Sequence, residues 1–220
     1  MSEPRKTRRT AGRPSRSILT PQTITAAALE VIRGKGYSGF TMSALAAQLG
    51  VAPSALYNHA ASKQEVLRWI QDSMMSAVDV DCFGTQPWES AVRRWAHSYR
   101  DVFAGHTPLI PVIAVLQISG APRTLAMYEA VTAGFMAAGW PLPRIVPAIV
   151  ALESFIFGSA LDAGAPADIF DTGTLAAQSP LFTAAVAVQE GRADGTAADT
   201  SFETGLDALI RGLAGGAKPA

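Results

Sequence analysis

Between Phe40 and Lys63, two short apolar patterns lie on either side of a Leu-Gly-Val corner. Met42, Leu45, Ala46 and Leu49 recur at helical spacing and make one apolar face. Thr41 stands just before them, where a hydroxyl can accept an otherwise unpaired N–H of the first turn. Gly50 follows at the point where this helix must stop, and glycine tolerates the left-handed backbone of such a closure. Val51 is placed to plug the angle. Pro53 opens a second helix that runs to about Ala60, with Leu56 as its apolar anchor. Ser62 and Glu65 have capping-box spacing, so a new long helix begins at Lys63. A helix, a short turn with glycine and a second short helix predict a helix-turn-helix, whose second helix enters the major groove of DNA.

The same periodicity predicts helices on both sides. Ile24, Ala27, Ala28, Val31 and Ile32 form a stripe over 21–35, with Thr20 as cap. Val66, Leu67, Ile70, Met74, Ala77 and Val78 carry a single rod from Lys63 to about Val80, and 79–86 is a connector. Beyond Pro87, breaks at Pro or Gly divide the chain into helical spans at 87–104, 108–118, 122–138, 142–162, 179–190 and 200–213. The expected fold class is all-α. Its expected parts are a disordered basic arm over 1–17, a three-helix helix-turn-helix domain over 18–65, a helical-bundle domain over 66–214 and a flexible tail over 215–220.

Charge sharpens this division. The chain of 220 residues has a formal net charge of zero, but residues 1–70 hold ten Lys/Arg and three acids, a net +7. Residues 71–220 hold eight basic and fifteen acidic residues, a net −7. A basic head on an acidic body suits a polyanionic partner. In the arm, Arg13 and Arg16 stand among Ser, Gly and Pro with little apolar material to fold around. Gly12-Arg13-Pro14 resembles the core of AT-hook segments, which lay Arg into the minor groove, although the Arg usual before the Gly is missing. Cys82 is the one cysteine, so no internal disulfide is expected. No stretch reads as a membrane span or secretory signal, and the most apolar one, 108–120, is too short. The expectation is a cytoplasmic protein that does not engage a membrane.

Catalysis finds little support. His97 and His106 lie nine residues apart in no nucleophile or metal motif. Gly34, Gly36 and Gly39 cluster around Tyr37 with no strand before them, which excludes a phosphate cradle. Asp79, Asp81 and Cys82 have no second ligand cluster nearby. No catalytic residues, metal site or cofactor are expected.

The residues Gly36-Tyr37, Phe40-Thr41, Leu45-Ala46, Leu49-Gly50-Val51, Leu56-Tyr57-Asn58-His59, Lys63 and Leu67 resemble the N-terminal domain of TetR-family transcriptional regulators. The specific part is Leu-Tyr-x-His followed by Lys63, directly behind the Leu-Gly-Val turn. Strong resemblance covers about residues 20–70. Ala60 departs from it, standing where the family often has an aromatic residue and implying looser packing there. The resemblance implies that Tyr57, His59 and Lys63 hold phosphates. Pro53 begins the recognition helix, on which Ser54, Ala55 and Asn58 face the bases, and Thr41 offers a phosphate its hydroxyl and helix N-terminus.

A helical body also suits a small-molecule site with apolar walls and a few polar groups. Trp95, Tyr99, Phe103, Gln117, Met127, Tyr128, Phe135, Glu153 and Phe157 are the candidates, although core packing explains each aromatic alone. Gln117 and Glu153 are the more informative, each read as a polar residue within an apolar helix. In TetR-like proteins two late helices pair with their symmetry mates, and 142–162 and 200–213 occupy those places. Gly158, Ser159 and Ala160 would allow close approach there. The sequence thus implies a homodimeric, ligand-responsive regulator, a repressor released from a pseudo-palindromic DNA operator by a small apolar effector. The alternative is a helical carrier of an apolar compound with a vestigial DNA-binding head.

Overall fold

In this computed structural model the described residues are 19–190, with Glu190 by its backbone alone, and 196–214. All regular structure among them is helical. The basic arm, with Arg13 and Arg16, and the tail lie outside the described residues.

The head comprises α1 (Pro21–Lys35), α2 (Met42–Leu49), α3 (Pro53–Tyr57) and α4 (Lys63–Met75). Thr20 caps α1: its Oγ1 accepts the Thr23 N–H at 3.2 Å, and its own N–H donates to Thr23 Oγ1 at 2.9 Å. The apolar faces of the four helices meet in a core of fully buried Ile24, Phe40, Leu45, Leu56, Val66 and Ile70. Ala60 is fully buried as well. α4 stops at Met75, short of the expected Val80. Beyond it the Asp79 N–H donates to Ser98 Oγ at 2.9 Å and Asp79 Oδ1 accepts the Asp81 N–H at 3.0 Å, a local turn that competes with the helix. Ala77 is consequently exposed, while Val78 still reaches the core.

The body comprises α5 (Trp88–Ala104), α6 (Ile110–Ile113), α7 (Pro122–Ala137), α8 (Leu142–Asp162), α9 (Pro180–Glu190) and α10 (Ala197–Ala214). α5 packs against α8 and α10, and α4 packs against α1 and α7. The expected 108–118 helix is a 3₁₀ turn at Thr107–Leu109 followed by the single turn of α6. Pro108 and Pro111 supply no N–H, and Gly120 turns the chain at φ +85° before Pro122 starts α7. A 3₁₀ segment at Gly173–Gln178 and the start of α10 at Ala197 also lie outside the expected spans.

α8 is a core helix of the body. It has 21 residues and a mean hydropathy of 1.7, long and apolar enough by length and composition to cross a membrane. In the bundle its Ile145, Ile149, Leu152 and Ile156 are buried, while Val146 (65% exposed) and Val150 (52% exposed) lie on an open face. Ala160, expected on an approach surface between copies, is fully buried in its own body; Gly158 stays exposed. The α8–α10 seam depends on glycine, because a Cβ on Gly205 would collide with the Phe155 ring, which stacks on Phe202 with centroids 5.6 Å apart.

Candidate nucleic-acid interface and effector site

The corner of the head is closed by the backbone. Gly50 adopts φ +67°, its N–H donates to Ala47 O at 3.1 Å, and the Val51 N–H donates to Ala46 O at 3.0 Å. These are the two bonds of a Schellman closure. Leu56 then anchors α3 inward, so Pro53, Ser54, Tyr57, Asn58 and His59 are exposed and Ala55 is half-buried. The candidates on α3 and the turn after it are therefore open to solvent, Ala55 in part.

Thr41 is exposed at the start of α2. Its Oγ1 accepts the Ala44 N–H at 3.0 Å, which leaves the hydroxyl proton available to a phosphate. At the start of α4, Ser62 Oγ accepts the Glu65 N–H at 3.1 Å. Glu65 takes the Ala61 N–H at 2.7 Å rather than that of Ser62, so the expected box closes one residue early. Lys63 is held in a way its spacing did not show: its Nζ lies 4.2 Å from the Tyr37 ring centroid and 5.1 Å from that of Phe40. The two rings hold the ammonium against the segment that joins α1 and α2. In the sequence Tyr37 marks a turn and part of the family resemblance, and its pairing with Lys63 is not legible there.

In the body, α5, α7 and α8 converge on one carboxylate. The Tyr99 and Tyr128 hydroxyls both donate to Glu153 Oε1, at 3.0 Å and 2.7 Å. The Tyr99 ring meets Trp95, Phe103 and Phe157 at centroid distances of 5.4, 5.2 and 5.6 Å. Met127 is buried beside Tyr128 on α7. Burial pushes the Glu153 carboxyl above the ordinary range, against the two tyrosine bonds that lower it. Burial likewise raises Tyr99 and Tyr128, with the nearby Glu153 charge adding to it, so both remain hydroxyl donors. The Trp95 indole N–H is buried without an acceptor among the described residues.

Two candidates fall outside this cluster. Phe135 belongs to a separate aromatic group with Trp88 and Trp140, at centroid distances of 5.2 and 5.0 Å. Gln117 is exposed on the coil after α6, because the apolar helix expected around it does not form.

A joint between head and body escaped sequence reading. Asp72 of α4 caps α7: its Oδ1 accepts the Arg123 N–H at 2.7 Å, the Thr124 N–H at 3.0 Å and the fully buried Thr124 hydroxyl at 3.4 Å. α7 has no side-chain cap at its own Ala121, so a residue 51 positions upstream supplies one. Beside the joint runs a cleft of about 340 Å³ lined by Thr25, Leu29, Trp69, Asp72 and Arg123.

Residues 24–70 match the family described as bacterial regulatory proteins, tetR family, and residues 83–215 match the tetracyclin repressor-like C-terminal domain. The tetracycline repressor protein class A from transposon 1721 of Escherichia coli is 27% identical over 199 residues, spanning 89% of this chain and 91% of that protein. Streptomyces coelicolor ActR in complex with (S)-DNPA superposes with a TM-score of 0.73 at 24% identity, over 92% of this chain and 100% of that one. BioQ with its natural double-stranded DNA operator superposes with a TM-score of 0.63 at 24% identity, over 89% and 98%. Both structural likenesses establish a shared fold. With the family matched across head and body, the chain belongs to the TetR family and is a DNA-binding transcriptional regulator, not an enzyme.

Proposed function

We propose that the protein is a homodimeric repressor that leaves a pseudo-palindromic operator when a small effector with apolar surface occupies the body. The observation that carries this reading is the open face of α3. Ser54, Tyr57, Asn58 and His59 stand exposed on it and on the turn after it, with Lys63 held on Tyr37 at the start of α4, on a head tied to the body through Asp72. Ser54, Ala55 and Asn58 read base edges, while Thr41, Tyr57, His59 and Lys63 hold phosphates and Pro53 starts the reading helix. Arg13 and Arg16 add contacts from the arm.

α8 and α10 form the dimer. Val146, Val150, Ser154 and Gly158 on α8, with Ser201, Thr204 and Ala208 on α10, offer apolar and small residues on an open face. Two-fold symmetry places the recognition helices one or more helical turns apart, about 34–36 Å per turn. The effector site is the body cluster of Trp95, Tyr99, Phe103, Met127, Tyr128, Glu153 and Phe157. ActR solved with a small molecule and BioQ solved with its operator support both halves of the mechanism. The site of action is the cytoplasm.

Selection of bound duplexes from a random pool tests the reading. The expected result is a pseudo-palindromic consensus whose preferred bases change in Asn58→Ala. Lys63→Ala should weaken all sequences alike and flatten the salt dependence. A folded dimer that enriches no sequence would instead support the carrier with a vestigial head.

A further inference from the structure

Glu153 is a carboxylate without a counter-ion. Both tyrosine bonds go to Oε1, and Oε2 accepts no hydrogen bond from the described residues. No Lys, Arg or His among them forms an ion pair with it, whereas the more exposed Glu203, Asp207 and Asp199 of the body each face a guanidinium. Charges withdrawn from water are ordinarily paired, since the loss of hydration is otherwise uncompensated. Here the nearest neighbours are two neutral hydroxyls and a set of rings. Aromatic faces carry partial negative charge, so Tyr99, Phe103 and Phe157 favour a cation and disfavour an anion.

The arrangement also has an open side. Tyr128, Glu153 and Phe157 are only partly buried, whereas Trp95, Tyr99 and Phe103 are closed off behind them. We propose that the Glu153 site takes an organic cation, with an ammonium head on the free carboxylate oxygen and an apolar body along the partly exposed Tyr128 and Phe157 rings. This inference rests on the effector-site reading and narrows its ligand class from apolar to apolar and positively charged. Tyr128 couples the site to the head, because it stands on α7, whose first turn Asp72 of α4 holds. An occupant that engages Tyr128 differently in the two states of the protein biases the position of α4.

Phenylbutylamine, protonated at neutral pH, and the uncharged phenylbutanol form the test pair, with binding to the full-length dimer read by calorimetry. The amine should bind about ten-fold or more tightly than the alcohol, in line with a desolvated charge pair. Glu153→Gln should remove that preference with the melting transition intact, because the amide still accepts from both tyrosines. Phe157→Leu, which leaves the carboxylate untouched, should weaken the amine more than the alcohol. Equal affinities, absence of binding by either compound, or an amine preference that survives Glu153→Gln overturns the proposal. Operator binding by the same unliganded preparations separates the two readings: its loss would sink the regulator mechanism while leaving the amine preference to be read on its own.

Discussion

In the head, helix starts are made locally. Thr20, Thr41 and Ser62 each accept an N–H three residues on, and only the short α3 lacks a side-chain cap. In the body, α5, α7 and α8 begin at Pro87, Ala121 and Pro141 without local side-chain caps. At α7 a long-range group takes over, while α10 keeps a local cap in Thr196, whose Oγ1 accepts the Asp199 N–H at 3.1 Å, and further long-range bonds tie the helices together. Asp72 caps α7, Arg100 donates to Asp199 at 2.7 Å, and tyrosines from two helices meet on Glu153. Under the proposed mechanism a DNA-reading head needs a geometry that holds whatever the effector does, and short-range bonds provide it. A responsive body needs bonds between helices, since only those change when helices shift.

Mutations of graded size test this contrast. Leu56→Ala should destabilise most, by about 2–5 kcal/mol, because it empties the centre of the head core. Denaturant melts should show it, with operator binding lost; retention of full operator affinity would mean that α3 does not depend on its buried anchor. Gly134→Ala comes next, at about 1–3 kcal/mol, because the new Cβ would collide with the Phe83 ring. Its effect should appear in the melting of the body, with the operator consensus unchanged.

Asp72→Ala should cost about 1–3 kcal/mol by leaving the Arg123 and Thr124 donors without their acceptor. Thr41→Ala should cost about 1 kcal/mol as a lost local cap. The two differ in kind as well as size. Asp72→Ala should reduce the effect of an effector on operator affinity, and Thr41→Ala should leave that ratio unchanged. Equal ratios in both variants would remove the Asp72 joint from the coupling path.

The smallest effect concerns pH. Burial raises the Glu153 carboxyl above its ordinary 4.5, so the fold favours the protonated form. That contribution is complete below 4.5 and is lost as pH rises through the folded value. Tyr99 and Tyr128, the groups facing it from α5 and α7, remain protonated across this window. Glu153→Gln should therefore flatten the decline in melting temperature from acidic to neutral pH. A steeper decline would mean that the ionised carboxylate stabilises the fold.

The legible and illegible parts of the molecule follow the same contrast. Thr20, Thr41, Gly50, Pro53 and Ser62 mark the head because each acts on neighbours within a few residues, and the bounds of α1 and α2 match the expectation. Glu153 stood out as a polar residue in an apolar helix, and the structure finds its partners. Gln117 carried the same signal and misled, because Pro108, Pro111 and Gly120 deny its segment a helix. Similarly, α4 was extended through Val80 because its apolar spacing continues, but Asp79 bonds outside the helix pattern.

The sequence by itself determined the all-helical class, the helix-turn-helix corner and the sign of the charge on each half, since these depend on residue type and short spacing. Only the tertiary structure decided that Lys63 rests on Tyr37, that Asp72 caps a helix 51 residues away and that two tyrosines share one oxygen of Glu153. Those pairings are set by the angles at which helices cross, and such angles emerge from the packing of whole faces rather than from any local run of residues.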